Sequence, residues 1–170
     1  MFMAVPAPRW CCTVYDRLLS SASKLKPLLA LELESRLLRA LLHQIFTMGT
    51  GNDTTHFRAL HKSYSQSLDP MLRGLLTETP TTDKLQHLLE HIHFWIQSKK
   101  TKERVRAIQS SAALLEFATI LPGFDTSSDF SKAGDFVLQL GLHVSQPADD
   151  ISRQARGGIY WLHRLLLVLT

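Results

Sequence analysis

Cysteine is nearly missing from this chain: there are two in 170 residues, Cys11 and Cys12, side by side. Adjacent cysteines bridge each other only under strain, so no disulfide framework is expected, and reduced thiols in a cytoplasmic or nuclear setting are. Both read as small packing residues. Glycine is sparse as well, with eight residues, and Gly49-Thr50-Gly51 lacks the later glycine and the Lys-Ser/Thr pair of a phosphate-binding loop. No nucleophile elbow is present, and no stretch of useful length alternates as a strand does, which leaves an all-α reading. The apolar run Leu165 to Leu169 is far short of the roughly 20 residues that cross a bilayer, so no membrane role is expected. Met1 to Pro8 has neither the basic region nor the apolar core of a secretion signal. An excess of one charge is also missing: 19 Lys and Arg stand against 15 Asp and Glu, a net charge of +4. That is well short of the density with which a dedicated nucleic-acid binder displaces counterions.

What the chain does have is apolar content, 45% hydrophobic residues, enough for a core without staples at this length. Its arrangement repeats. Leu88, Leu89, Ile92, Phe94 and Ile96 recur 48 positions later as Phe136, Val137, Leu140, Leu142 and Val144, and Arg106, Ile108, Ala112 and Leu115 recur at an offset of 47 as Arg153, Ala155, Ile159 and Leu162. A unit of this length filled by two helices is the pattern of HEAT and armadillo arrays, in which stacked antiparallel pairs build an α-solenoid. One helical repeat domain is expected over 1–170, with less regular helices over 8–65 and the clearest repeats over 67–122 and 129–170.

Along the chain, Trp10, Val14, Leu18 and Leu19 mark a first helix after Pro6 and Pro8. A longer second helix runs from Pro27 through Leu38, Leu42, Ile45 and Phe46 to a stop at Gly49 and Gly51. A weaker helix is expected through Phe57, Leu60 and Tyr64, and a separate short one from Asp69 and Pro70 to just before Pro80. The first repeat comprises a helix capped at Thr82 and Asp83 and running to about Gln97, then a partner from about Lys102 to Ile120, ended by Pro122 and Gly123. Gly123 to Ser131 reads as a polar surface loop. The second repeat is expected over Lys132 to Val144 and Ala148 to Leu169, with Asp149 and Asp150 at a helix N-terminus that favours negative charge. Trp95 and Trp161 are expected to pack between layers.

The run Thr79-Pro80-Thr81-Thr82-Asp83-Lys84-Leu85, then Leu88-Leu89-Glu90-His91, Phe94-Trp95-Ile96 and Glu103-Arg104-Val105-Arg106-Ala107-Ile108 through Ala112-Ala113-Leu114-Leu115, resembles the maestro HEAT-like repeat family. Leu140-Gly141-Leu142 followed by Arg153-Gln154-Ala155 is similar to the next repeat of those proteins. The resemblance covers about Leu68 to Leu169 and implies a helical solenoid, usually much longer than this chain, without catalytic residues or a cofactor.

Two motifs bear on chemistry. His87-Leu88-Leu89-Glu90-His91 matches H-x-x-E-H, in which two histidines one turn apart hold zinc and the glutamate activates water. On a helix His87, His91 and Phe94 fall opposite the stripe Leu85, Leu88, Leu89, Ile92 and Ile96, so an outward face is the favoured reading. A metal-dependent hydrolase built on His87, Glu90 and His91 would need a third ligand, and the downstream glutamates Glu103 and Glu116 lie inside the partner helix. The pair is therefore at most an adventitious divalent-metal site, and no catalytic residue is assigned. Lys99, Lys100, Lys102 and Arg104, continued by Arg106, form a basic turn. Such turns are commonly only solvated; used functionally, this one would seat an acidic protein segment, with a nuclear or nucleic-acid role over 99–106 as the alternative. Aromatics for base stacking are sparse there. The favoured reading is a non-enzymatic repeat scaffold that binds other proteins. The last helix, with Ile159, Trp161, Leu162 and Leu165 to Leu169, is apolar nearly all round and is expected to promote self-association.

Overall fold

A computed structural model describes residues 31–47 and 55–169, with side chains described over 32–47 and 66–168. The helix expected after Pro8, both cysteines, Trp10, the stop at Gly49 and Gly51 and the side chain of Leu169 lie outside the described residues. Among the described residues the named elements are all helices: α1 (Leu31–Thr47), α2 (Thr55–Glu78), α3 (Thr82–Ile96), α4 (Thr101–Ile120), α5 (Ala133–Gly141) and α6 (Asp149–Leu169). No helix is long and apolar enough to cross a membrane among the residues described. The chain divides into two compact units, Met1–Ser67 and Leu68–Thr170.

In the first unit, α1 opens with Glu32 and Glu34, whose charges suit the positive end of a helix. Leu38, Leu42, Ile45 and Phe46 are its buried side chains, spaced four, three and one, the period of a single helical stripe.

The second unit begins part-way along α2. Here the expected break is absent: Thr55–Glu78 is one helix with Pro70 inside it. An interior proline removes a backbone hydrogen bond and costs about 3 kcal/mol. Leu68, Met71, Leu72 and Leu76 are all buried on this part of the helix, and at about 1.5–3 kcal/mol each their burial outweighs that cost.

The helix pair α3–α4 follows the sequence pattern closely. Thr81, one residue earlier than expected, is the N-cap of α3; its hydroxyl accepts from the Lys84 N–H at 3.2 Å. Leu85, Leu88, Leu89, Ile92, Trp95 and Ile96 are buried, as are Ala107, Ile108, Ala112, Leu114, Leu115 and Ala118 of α4. Gly123 ends this pair with φ +73°, a conformation that L side chains resist. The loop after it does more than cover the surface. Thr81 and Asp125 form an isolated parallel bridge, in which the Asp125 carbonyl accepts from the Thr82 N–H at 3.1 Å and the Asp125 N–H donates to the Pro80 carbonyl at 2.6 Å. Thr82, fully buried, adds its hydroxyl to the Asp125 carbonyl at 3.1 Å, and Phe130 is buried further along.

In the second pair, α5 is shorter than expected, because residues 142–145 form turns rather than a continued helix. Phe136 and Leu140 enter the core, but Val137, the counterpart of buried Leu89, is 39% exposed, while Leu142 is exposed as its counterpart Phe94 is. The layers close most tightly between α4 and α6, then between α3 and α4 and between α5 and α6; α3 and α5 barely touch. Gly158 of α6 lies against α5 most closely, where an added Cβ would be 3.0 Å from Leu140, and it meets Ala112 of α4 at an ordinary 3.6 Å.

Candidate interaction site

The basic turn between α3 and α4 is held from within. Ser98 donates its hydroxyl to the carboxylate of Glu103 and accepts the Lys100 N–H at 3.2 Å. Glu103, 4% exposed, also faces the Lys100 ammonium at 3.4 Å. It sits in the first turn of α4, where the helix dipole favours an anion. Arg104 donates to the carbonyls of Ser98 at 2.9 Å and Lys99 at 3.1 Å, and to the Thr101 hydroxyl at 3.2 Å. Lys100 and Arg104 thus serve the turn itself, while Lys99 and Lys102 are exposed. Arg106 and Arg153 share a position in the repeat but not an environment. Arg106 is half-buried, and burial pushes its guanidinium below its ordinary range; Arg153 is exposed and reaches Asp150 only at 4.0 Å.

Against this turn packs its counterpart from the second pair. His143 is buried there, and burial followed by the nearby charge of Arg104 pushes its imidazole below the ordinary histidine range. Hydrogen bonds to Gln146 and to the Ile96 backbone oppose that shift. Neither Glu103 nor His143 stood out in the sequence as a turn residue. Ser98 preceding Glu103, just before an apolar helix, is the signal that would have pointed to the first.

His87 and His91 are half-buried one turn apart, their rings edge to face with centroids 4.8 Å apart. Among the described residues no group of three or more His, Cys, Asp or Glu side chains is placed to hold a metal. Of the two glutamates available downstream, Glu103 is committed to the turn and Glu116 is exposed.

A third feature spans the two pairs. Where α3 and α5 diverge, Glu90, His93, Lys132, Asp135 and Phe136 line an open cleft of about 260 Å³. The His93 ring meets Phe136 edge-on at 5.5 Å, and Phe136 meets Phe130 at 5.7 Å. Lys132 and Asp135 stand 3.9 Å apart on the rim. Burial pushes His93 below its ordinary range, against the raising effect of Asp135 and Glu90. Beside the cleft the Gln86 side-chain oxygen accepts from the Lys132 N–H at 3.2 Å and the Ser131 hydroxyl at 3.3 Å. Residues 46 positions apart meet here, which is why no local motif announces the cleft.

The profile of the family described as "Maestro, HEAT repeats" matches residues 102–170, which take in nearly all of α4 and the whole second pair. The human protein "Maestro heat-like repeat family member 5" is 34% identical over 112 residues, 66% of this chain and 8% of that protein. A mouse relative, "Maestro heat-like repeat-containing protein family member 1", is 30% identical over 145 residues, 84% of this chain and 9% of its own length. The chain belongs to the maestro HEAT-like repeat family. The bovine protein of the same name is 33% identical over 108 residues, 64% of this chain and 6% of its own. This maestro-family chain therefore spans less than a tenth of the curated relatives it matches. No solved structure matches it.

Proposed function

We propose that this maestro-family chain is a non-catalytic helical-repeat module that binds other proteins in the cytoplasm, and that the α3–α5 cleft is its contact surface. The observation that carries this reading is the unequal closure of the two layers. α4 and α6 pack closely, whereas α3 and α5 leave between them a cleft floored by Phe136 and rimmed by charges of both signs. Clefts at the junction of stacked elements, with an aromatic base and a few polar groups, are where partners gain area and orientation together. Lys99 and Lys102 remain available to an acidic segment of the same partner.

The test is proximity labelling in cells with the full chain, comparing wild type with Glu90→Lys/Asp135→Lys and with Lys99→Glu/Lys102→Glu. Loss of a shared set of labelled proteins in the first variant, with normal abundance of the chain, is the expected result. An unchanged set in both variants would remove the cleft and the basic turn as contact surfaces.

A further inference from the structure

Whatever enters the α3–α5 cleft meets more negative charge than positive. Glu90 of α3 and Asp135 of α5 both act electrostatically on the His93 ring, so the two carboxylates stand close to the same imidazole. Against them the lining sets a single cation, Lys132. His93 adds no positive charge at neutral pH, because burial holds its imidazole below the ordinary range. The lining is therefore net negative in a chain whose net charge is +4. Phe136 forms the floor, with the His93 ring edge-on to it at 5.5 Å. At about 260 Å³ the cleft is smaller than the roughly 300–1,000 Å³ of sites that enclose a small molecule, and it is open, so it is sized for one side chain presented from outside.

Lys132 shows which kind of group the cleft takes. Its ammonium stands 3.9 Å from the Asp135 carboxylate, and the two side chains are 51% and 68% exposed. A pair so open to water contributes little to stability, so it gives way to a better partner at small cost. A guanidinium is that partner. Its donors lie fixed in one plane, it pairs with carboxylates through parallel hydrogen bonds, and it lies against aromatic rings, whereas an ammonium is a compact and strongly hydrated point charge. We infer that the cleft is a receptor for an arginine side chain of the bound protein, with Glu90 and Asp135 pairing the guanidinium over Phe136 and Lys132 giving up its place beside Asp135. An acidic side chain is turned away by the same two carboxylates. The bound protein thus brings an arginine to the cleft, while its acidic residues face Lys99 and Lys102 beyond the end of α3, and this pairing of opposite signs at two places fixes the direction in which it lies.

The inference rests on the cleft being a contact surface, and its test is made on the purified full chain. N-acetyl-arginine N-methylamide is titrated at constant ionic strength against the NMR signals of the His93 ring, assigned with His93→Gln, alongside the corresponding lysine and glutamate amides. A saturable shift with the arginine probe is expected, with the lysine probe weaker and the glutamate probe without effect. Glu90→Gln/Asp135→Asn should weaken binding of the arginine probe at least about tenfold. Lys132→Ala should leave that binding unchanged or tighter. All three residues are exposed, so thermal melts at the wild-type temperature separate lost binding from lost folding. No saturable shift with the arginine probe, binding of the lysine or glutamate probe as tight as that of arginine, an arginine shift indifferent to loss of both carboxylates, or its disappearance in Lys132→Ala would overturn the inference. Glutamate binding together with loss of labelled proteins in Glu90→Lys/Asp135→Lys removes the arginine and keeps the contact surface. A saturable arginine shift with unchanged labelling upholds the arginine receptor and removes the cleft as the surface used in cells.

Discussion

The two helix pairs of the second unit are built on one pattern and live in different surroundings. Leu89 and Val137 hold the same place in the repeat, yet Leu89 is buried while Val137 is partly exposed. Glu103 and Asp150 also correspond, and the first is sealed under a turn while the second stands in solvent. In a stack, burial is a property of the neighbour as much as of the residue: among the described residues the first pair is covered by α2 and by the second pair, and the second pair by the first alone.

The sharpest way to break this comparison is to truncate the matched positions. Leu89→Ala should cost about 2–5 kcal/mol through lost transfer energy and the cavity left behind. Val137→Ala should cost less than about 1 kcal/mol, because much of that side chain is already wet. Denaturant melts that rank the two equally would mean that the pairs are equally covered.

A smaller difference separates the carboxylates. Glu103→Ala strips the Ser98 hydroxyl and the Lys100 ammonium of their partner and should cost about 1–3 kcal/mol. Asp150→Ala, which removes a solvent-exposed contact at 4.0 Å, should stay within about 0.5 kcal/mol. Thermal melts distinguish these outcomes. Thr81→Ala, which removes the α3 cap, should cost about 1 kcal/mol in the same assay. The second pair offers no equivalent loss, since Lys132 precedes α5 without a side-chain cap.

The smallest effect is a slope with pH. His143 and His93 are both held below the ordinary histidine value of 6.5, so the unfolded chain binds protons that the folded chain refuses. Stability is therefore level above about pH 7 and declines as the pH falls through 6.5 toward the folded-state values. His143→Gln keeps a polar group in the turn and should flatten the part of the decline that arises beside Arg104. A decline unchanged by that substitution would assign it to His93 or to the carboxylates.

Much of this architecture is legible in the sequence because helical burial is periodic. Leu85, Leu88, Leu89, Ile92 and Ile96 announce their stripe by spacing alone, and Gly123 announces a stop. Pro70 misleads, since the local preference against proline yields to the apolar side chains buried around it. Val137 misleads for another reason: a repeat pattern records which side of a helix can be covered and says nothing of whether a neighbour is there. The cleft and the Glu103 turn were not legible, because Glu90 and His93 meet Lys132, Asp135 and Phe136 only after α3 and α5 are set side by side, and a charged residue in a basic cluster reads as solvated until the turn folds over it.

The Thr81–Asp125 bridge gives the first pair a mechanical character. It ties the strand of chain entering α3 to the strand leaving α4, so tension on the polypeptide is carried across the stitch and bypasses the helices between. Under load the pair should hold as a block until backbone hydrogen bonds that run side by side shear together. The second pair has no such bridge among the described residues, and it should yield first, one helix at a time. A chain stacked in this way would lengthen under tension in two steps, soft and then stiff.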